Sequence, residues 1–353
     1  MTLSHVLATA APAARRSRTI IDAALRGRVG AVVKLSVSVI LIAVILRKVE
    51  GEQAAIHVSG QSVGWLAAAA LVTILQFLTL AVRWELILRG LRVWVAWGEI
   101  LRSTYISIFF NCWMLGTIGG DAARAVLLPR GSAGWATVIH SVLFDRIATL
   151  AGIGIVVLPL ILFNLGPMAH SLPLLASLVA VLVPFASLAT IALLARQIRT
   201  RASAIFSHLA GFAQSARQLQ GSPRSCAAIL SVSAISQIIL SLIPFCLARA
   251  LHFNVSPIDF LIVMPPVVLL VALPISAGGW GVRETAMVAA LVPCGVAPTA
   301  ALLISVEMGL LAALLSLPAG ALWLHRHVLR PVADRDAADL GDISATGDER
   351  QTI

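Results

Sequence analysis

Two six-residue phrases hold the residue types best suited to chemistry in this chain: Gly119-Gly120-Asp121-Ala122-Ala123-Arg124 and Gly278-Gly279-Trp280-Gly281-Val282-Arg283. Paired glycines permit positive φ and close backbone approach, and a helix starting after them aims free amides and a partial positive charge at whatever lies ahead. Arg124 and Arg283, one turn further on, add a planar fork that matches phosphate oxygens. An anionic head group is the natural ligand of such a pair. The structural alternative is that the glycines only let helices pack closely while the arginines end at an interface. The matched second copy favours a cavity, because breaks at corresponding places mark an internal repeat with a site between its halves.

Further polar groups stand in apolar surroundings. Asp121 follows the first glycine pair and has Trp280 as its counterpart, so the two copies differ chemically. Asp121 either caps the helix leading to Arg124 or meets substrate or a coupling cation. Asp145 and Arg146 interrupt the apolar run from Val138 to Phe163, either as an interfacial turn or facing a bundle interior. Glu307 lies near the middle of the last apolar segment, and Glu284 adjoins Arg283. The head-group candidates are therefore Arg124, Arg283, Arg146, Asn111, Gly119, Gly120, Gly278 and Gly279, with Asp121, Asp145, Glu284 and Glu307 balancing charge or coupling ions.

The sequence offers little to hold a cofactor. Cys112, Cys226, Cys246 and Cys294 lie far apart, without the spacing of a zinc, haem or thiol-exchange site. His325 and His327 are two apart and diverge on a helix. HExxH, Walker and GxSxG signatures are all missing, so neither a cofactor nor a catalytic residue is expected.

The elements that must position these groups are membrane helices. The 353 residues are 59% hydrophobic and only 12% charged, with a mean hydropathy of +0.95. Such a composition excludes a soluble globular domain and a disordered chain. The net charge of +10 comes from arginines spread over short connections, which suits the positive-inside rule and not a nucleic-acid partner.

Spanning takes about 20 mostly apolar residues. Full spans are expected at residues 30–46, 63–82, 141–164, 172–195, 225–248 and 298–324. Residues 103–118 and 258–274 are short for a span, and the second contains Pro265, Pro266 and Pro274, which oppose a continuing helix. Both are expected to be re-entrant or broken hairpins entering from opposite faces, with eight ordinary spans as the competing topology.

The expected fold is thus an all-α polytopic membrane protein with two re-entrant or broken hairpins in an inverted repeat. Its parts are a basic cytoplasmic segment 1–29, a transmembrane region 30–326 (halves 30–195 and 225–326, joined by a cytoplasmic linker 196–224), and a disordered acidic tail 327–353. The linker has five arginines and no acid, which suits an amphipathic helix on anionic lipid. Arg15, Arg16 and Arg18 follow the mildly apolar start instead of preceding it, so the N-terminus reads as cytoplasmic and not as a secretory signal. A multi-pass protein of the cell membrane with both termini inside is expected.

Taken in order, Phe109-Phe110-Asn111, Gly116, Ile118, Gly119-Gly120-Asp121, Arg124, Asp145-Arg146 and the run Leu273 to Glu284 resemble the transmembrane region of lysylphosphatidylglycerol synthases, over roughly Ser36 to His325. That family includes stand-alone flippase-like proteins. The resemblance implies movement of a phospholipid or polyprenyl-linked lipid across the membrane. With about 30 residues after the last span, the synthase activity of the full-length enzymes is not expected. This chain departs from the family pattern at Met114-Leu115-Gly116, where a proline is usual, and at Ala148-Thr149, where glycine often follows the Asp-Arg pair. The expected partners are membrane lipids with anionic or zwitterionic head groups and a lipid-modifying enzyme. Two other functions stay open: a membrane-embedded lipid or glycolipid transferase, and a non-catalytic scaffold of envelope lipid synthesis.

Overall fold

A computed structural model describes residues 60–113, 117–128, 134–162, 204–273 and 276–325. The described residues are helical, with no strand among them. In chain order the helices are α1 (Gly60–Gly90), α2 (Trp97–Trp113), α3 (Thr117–Leu127), α4 (Trp135–Leu162), α5 (Ala204–Gln220), α6 (Pro223–Ala250), α7 (Pro257–Ala272), α8 (Val282–Leu291) and α9 (Pro298–Leu324). Parts of α1, α4, α6 and α9 are long and apolar enough to cross a membrane: Ser62–Gly90, Trp135–Leu160, Pro223–Ala250 and Pro298–Leu324. These take in the spans expected at 63–82, 225–248 and 298–324 and most of 141–164. The spans at 30–46 and 172–195, the N-terminal segment and the acidic tail lie outside the described residues.

Local sequence explains where the elements start and stop. Ser222 and Ser256 cap α6 and α7 by accepting the backbone N–H of Ser225 and Ile258, with Pro223 and Pro257 at the first helical position. α1 and α6 end in the same left-handed turn, at Arg92 (φ 57) and His252 (φ 62). In one, Val93 donates to the Leu88 carbonyl at 2.9 Å, and in the other Phe253 donates to Ala248 at 2.8 Å. Both are Schellman closures that satisfy the last carbonyls of a helix.

That pairing of turns belongs to a wider repeat. Each half has a long helix, a short hairpin and a second long helix, of 31, 17, 11 and 28 residues in α1 to α4 and 28, 16, 10 and 27 in α6 to α9. The leading helices run antiparallel along their length. Ser62 hydrogen-bonds His252 at 3.1 Å near one end, and Gln76 donates to Ser236 at 3.0 Å further along. Each hairpin leaves the C-terminal end of its leading helix, so the α2–α3 and α7–α8 hairpins enter the bundle from opposite ends. The first half of α4 packs on the last third of α1, and α5 closes the same end through a Phe144–Phe212 stack at 4.7 Å and a His140–Ser215 hydrogen bond.

The bundle is apolar outside and polar within. Leu71 of α1 and Leu314 of α9 are 68% and 61% exposed, whereas Thr73, Gln76, Ser141, Ser233, Gln237, Ser305 and Ser316 are buried. Apolar packing fills the space between, around Phe260, Met264, Met287 and Ile304 in one half and Trp84, Ile100 and Val138 in the other. In water this arrangement would leave large exposed apolar patches, but in lipid those patches are the solvent-facing surface.

Three expectations change here. α1 does not stop before Arg83 but continues to Gly90, because the Arg83 side chain turns inward and is neutralised there. Pro265 and Pro266 do not break α7, which runs through both while they stay buried; the helix ends instead at Ala272, ahead of Pro274. Gly119 and Gly120 lie inside α3, so the first glycine pair does not itself interrupt a helix.

Candidate functional site

α1, α3 and α4 bring three arginines and two aspartates into one cluster. Asp145 accepts from Arg83 Nε at 2.7 Å through one oxygen and from both terminal nitrogens of Arg124 at 3.1 Å through the other. Asp121 bridges outward, accepting from Arg124 at 3.3 Å and from Arg146 Nε and Nη2 at 2.9 and 2.6 Å. Asp121 is therefore an ion-pair partner in the second turn of α3 and not its cap. The Arg124 guanidinium lies over the Trp84 ring at 4.7 Å, and the Trp84 indole donates to Ser141 at 3.1 Å.

Charge and burial are distributed unevenly. Three guanidiniums face two carboxylates, so the cluster retains one positive charge. Arg83, Arg124 and Asp145 are almost fully buried, where a charge is tolerated only when paired. The Arg146 side chain remains 41% exposed. Arg124 Nε is buried with no partner among the described residues. The cluster thus carries its excess charge as a whole, and its outward-facing edge is Arg146.

The second phrase builds a different, self-contained unit. Gly278, Gly279 and Gly281 have φ of 57°, 81° and 84°, conformations that disfavour any side chain. Glu284, fully buried, accepts from the Gly281 backbone at 2.5 Å and from Arg283 at 2.6 and 3.0 Å. Ser305 of α9 donates to the same carboxylate at 3.4 Å. Arg283 stacks on Trp280 at 4.6 Å, and its guanidinium fills the space that a side chain at Gly309 would need. The amide expected to point at a ligand is thus taken by Glu284, and the charge of Arg283 is neutralised within its own turn.

The two glycine phrases meet at the C-terminal end of α2. Gly120 lies against Asn111 and the Ser107 carbonyl so closely that any Cβ there would overlap them. A Cβ on Gly278 would come within 2.5 Å of the Cys112 carbonyl. Consecutive residues, Asn111 and Cys112, thereby touch the two phrases. Among the described residues Arg124 pairs with Asp121 and Asp145 and Arg283 with Glu284, so the structure brings the phrases together but keeps their arginines in separate clusters. Asn111 Oδ1 and Glu307 Oε2 are buried without a partner among the described residues.

Arg83, Trp84, Ser305 and Gly309 were not singled out in the sequence. Arg83 carried a signal: no glycine or proline separates it from the apolar run before it, and α1 continues to Gly90. Gly309 offered none, because only the arrival of Arg283 from another helix gives it meaning.

Residues 31–320 match the family model described as the lysylphosphatidylglycerol synthase TM region. No curated protein and no solved structure matches the chain.

Proposed function

Because the chain belongs to the lysylphosphatidylglycerol synthase transmembrane-region family, a multi-pass membrane protein linked to lipid handling, we propose that it binds a phospholipid head group in its polar interior and moves it across the cell membrane without changing it covalently. The observation that carries this reading is the excess positive charge of the cluster, whose exposed edge is Arg146. A lipid phosphate offers oxygens that accept the two donors now held by Asp121. Asp121 keeps its bond to Arg124 on that exchange, so no buried charge is stranded. Arg83, Trp84 and Asp145 are positioning residues: they fix Arg124, which in turn holds Asp121.

Opposite entry of the two hairpins supplies a route. In this reading each hairpin is re-entrant, and the interior is reached from the two membrane faces by shifts where the glycine phrases meet α2. The lipid tails stay on the apolar exterior. Reconstitution into liposomes with a fluorescent anionic phospholipid tests the proposal: wild-type protein accelerates its exchange between leaflets, and Arg146→Gln slows it at least tenfold. Equal rates for wild type, the variant and protein-free liposomes would overturn it.

A further inference from the structure

We propose that Glu307 is a proton-carrying site, so that an anionic lipid and one proton move through this protein together. Glu307 lies within α9, about 14 Å along the axis from Pro298 at 1.5 Å per residue. That depth is near the middle of a hydrocarbon core about 30 Å thick. Every other carboxylate among the described residues is engaged. Glu85, Glu99, Asp121, Asp145 and Glu284 pair with arginines, and Asp259 takes a backbone hydrogen bond from Ser256 at the start of α7. Glu307 has no partner among the described residues, and its Oε2 is buried.

α9 packs on α1, α2, α6 and α8. The charges of α8, Arg283 and Glu284, pair with each other and meet α9 at Gly309 and Ser305. Those positions lie about 160° round the helix from Glu307 at about 100° per residue. From α2, Tyr105 bonds the Leu315 carbonyl and the Cys112 thiol bonds Ser316. α1 and α6 meet at this depth through the uncharged Gln76 and Ser236, bonded to each other, and Cys246 of α6 is part of the apolar core around Ile304. No charge among the described residues acts on Glu307, whose own side of α9 carries Ile304, Leu310, Leu311 and Leu314. An ionised carboxylate there would have neither water nor a cation, so the group holds its proton in this state. A metal ion would need several ligands, and no group of three or more His, Cys, Asp or Glu side chains able to hold one occurs among the described residues. A proton needs one oxygen. When the interior opens toward a membrane face, water takes the proton from the carboxyl, and on closure the carboxyl takes one back. α9 is placed to respond, because Ser305 and Gly309, where the second glycine phrase rests, flank Glu307 in the chain. One proton and one phosphodiester cross together without net charge, so the membrane potential does not oppose them.

Coupling rests on the transport reading, whereas the protonated carboxyl does not, and each has its own measurement. Purified full-length protein in detergent is treated with dicyclohexylcarbodiimide, which adds to protonated carboxyls in apolar surroundings, and the adducts are mapped by peptide mass spectrometry. Glu307 is expected to be labelled about tenfold more than the paired Asp145 or Glu284, and less as the pH is raised. Absence of an adduct at Glu307 overturns the proposal whether or not lipid moves. In liposomes with a fluorescent anionic phospholipid, a difference of one pH unit is expected to enrich the probe in the leaflet facing the alkaline side, by up to about tenfold for one proton per lipid. Glu307→Gln has no proton to release, so its probe distribution is expected to be the same with and without the gradient. A gradient response that persists in Glu307→Gln overturns the proposal. Wild-type protein that exchanges lipid without responding to the gradient overturns the coupling and leaves the transport reading standing; no exchange by wild type overturns both. Should the variant fail to fold, carbodiimide-labelled wild type takes its place and is expected to lose the gradient response.

Discussion

Removing the Asp145 carboxylate is the most informative perturbation of the buried cluster. In Asp145→Asn the side chain keeps its size, but Arg83 and Arg124 lose an anion held at 2.7 and 3.1 Å in a site only 4% exposed. Breaking a buried pair on one side costs about 3–5 kcal/mol, because the remaining charge stays desolvated. Arg124 retains Asp121, whereas Arg83 has no other carboxylate among the described residues. Replacing Arg83 as well therefore restores the original excess of one positive charge. The double variant Arg83→Gln/Asp145→Asn is expected to recover about 1–3 kcal/mol of the loss, as coupled neighbours do. Equilibrium unfolding in mixed detergent micelles, followed by helicity, measures both variants against wild type. A loss below about 1 kcal/mol for Asp145→Asn, or a double variant no more stable than the single one, would refute the claim that this carboxylate is held for charge compensation.

The remaining expectations are more local. Arg146→Gln is expected to cost about 1 kcal/mol or less in the same unfolding assay, since the side chain is partly exposed, while it suppresses lipid exchange; this is the reverse of the Asp145 pattern. Gly309→Ala puts a methyl group into the space of the Arg283 guanidinium and is expected to destabilise by about 1–3 kcal/mol, read by thermal unfolding. Gly278→Ala combines a positive φ of 57° with a Cβ 2.5 Å from the Cys112 carbonyl, and a loss of about 1–3 kcal/mol is expected there too.

What the sequence disclosed follows from which forces are local. Length and apolarity are local, so four long helices and the two short hairpins could be placed from hydropathy alone. The boundary at Arg83 was misplaced for a physical reason: a charge ends an apolar run only if nothing inside the bundle neutralises it, and Asp145 lies 62 positions away. Pro265 and Pro266 misled similarly, because their cost to a helix can be borne by packing on both sides. The likeness of the two glycine phrases was real but incomplete. Val282-Arg283-Glu284 carries its carboxylate beside the arginine, whereas Ala123-Arg124-Ala125 must borrow one from α4, so only the first copy has an arginine cluster open at one edge. The neighbouring residue shows that Arg124 lacks an adjacent carboxylate, but not that Asp145, 21 positions on, supplies it.

Everything in the transport reading depends on the two hairpins entering from opposite membrane faces, and the connections that lead into them report this directly. Trp94, 78% exposed, precedes α2, and Asn254, also exposed, precedes α7. In a cysteine-free background, Trp94→Cys and Asn254→Cys are labelled in intact cells with a membrane-impermeant maleimide, before and after permeabilisation. The account predicts that Asn254→Cys reacts in intact cells and Trp94→Cys only after permeabilisation. Labelling of both positions from the same side would contradict it.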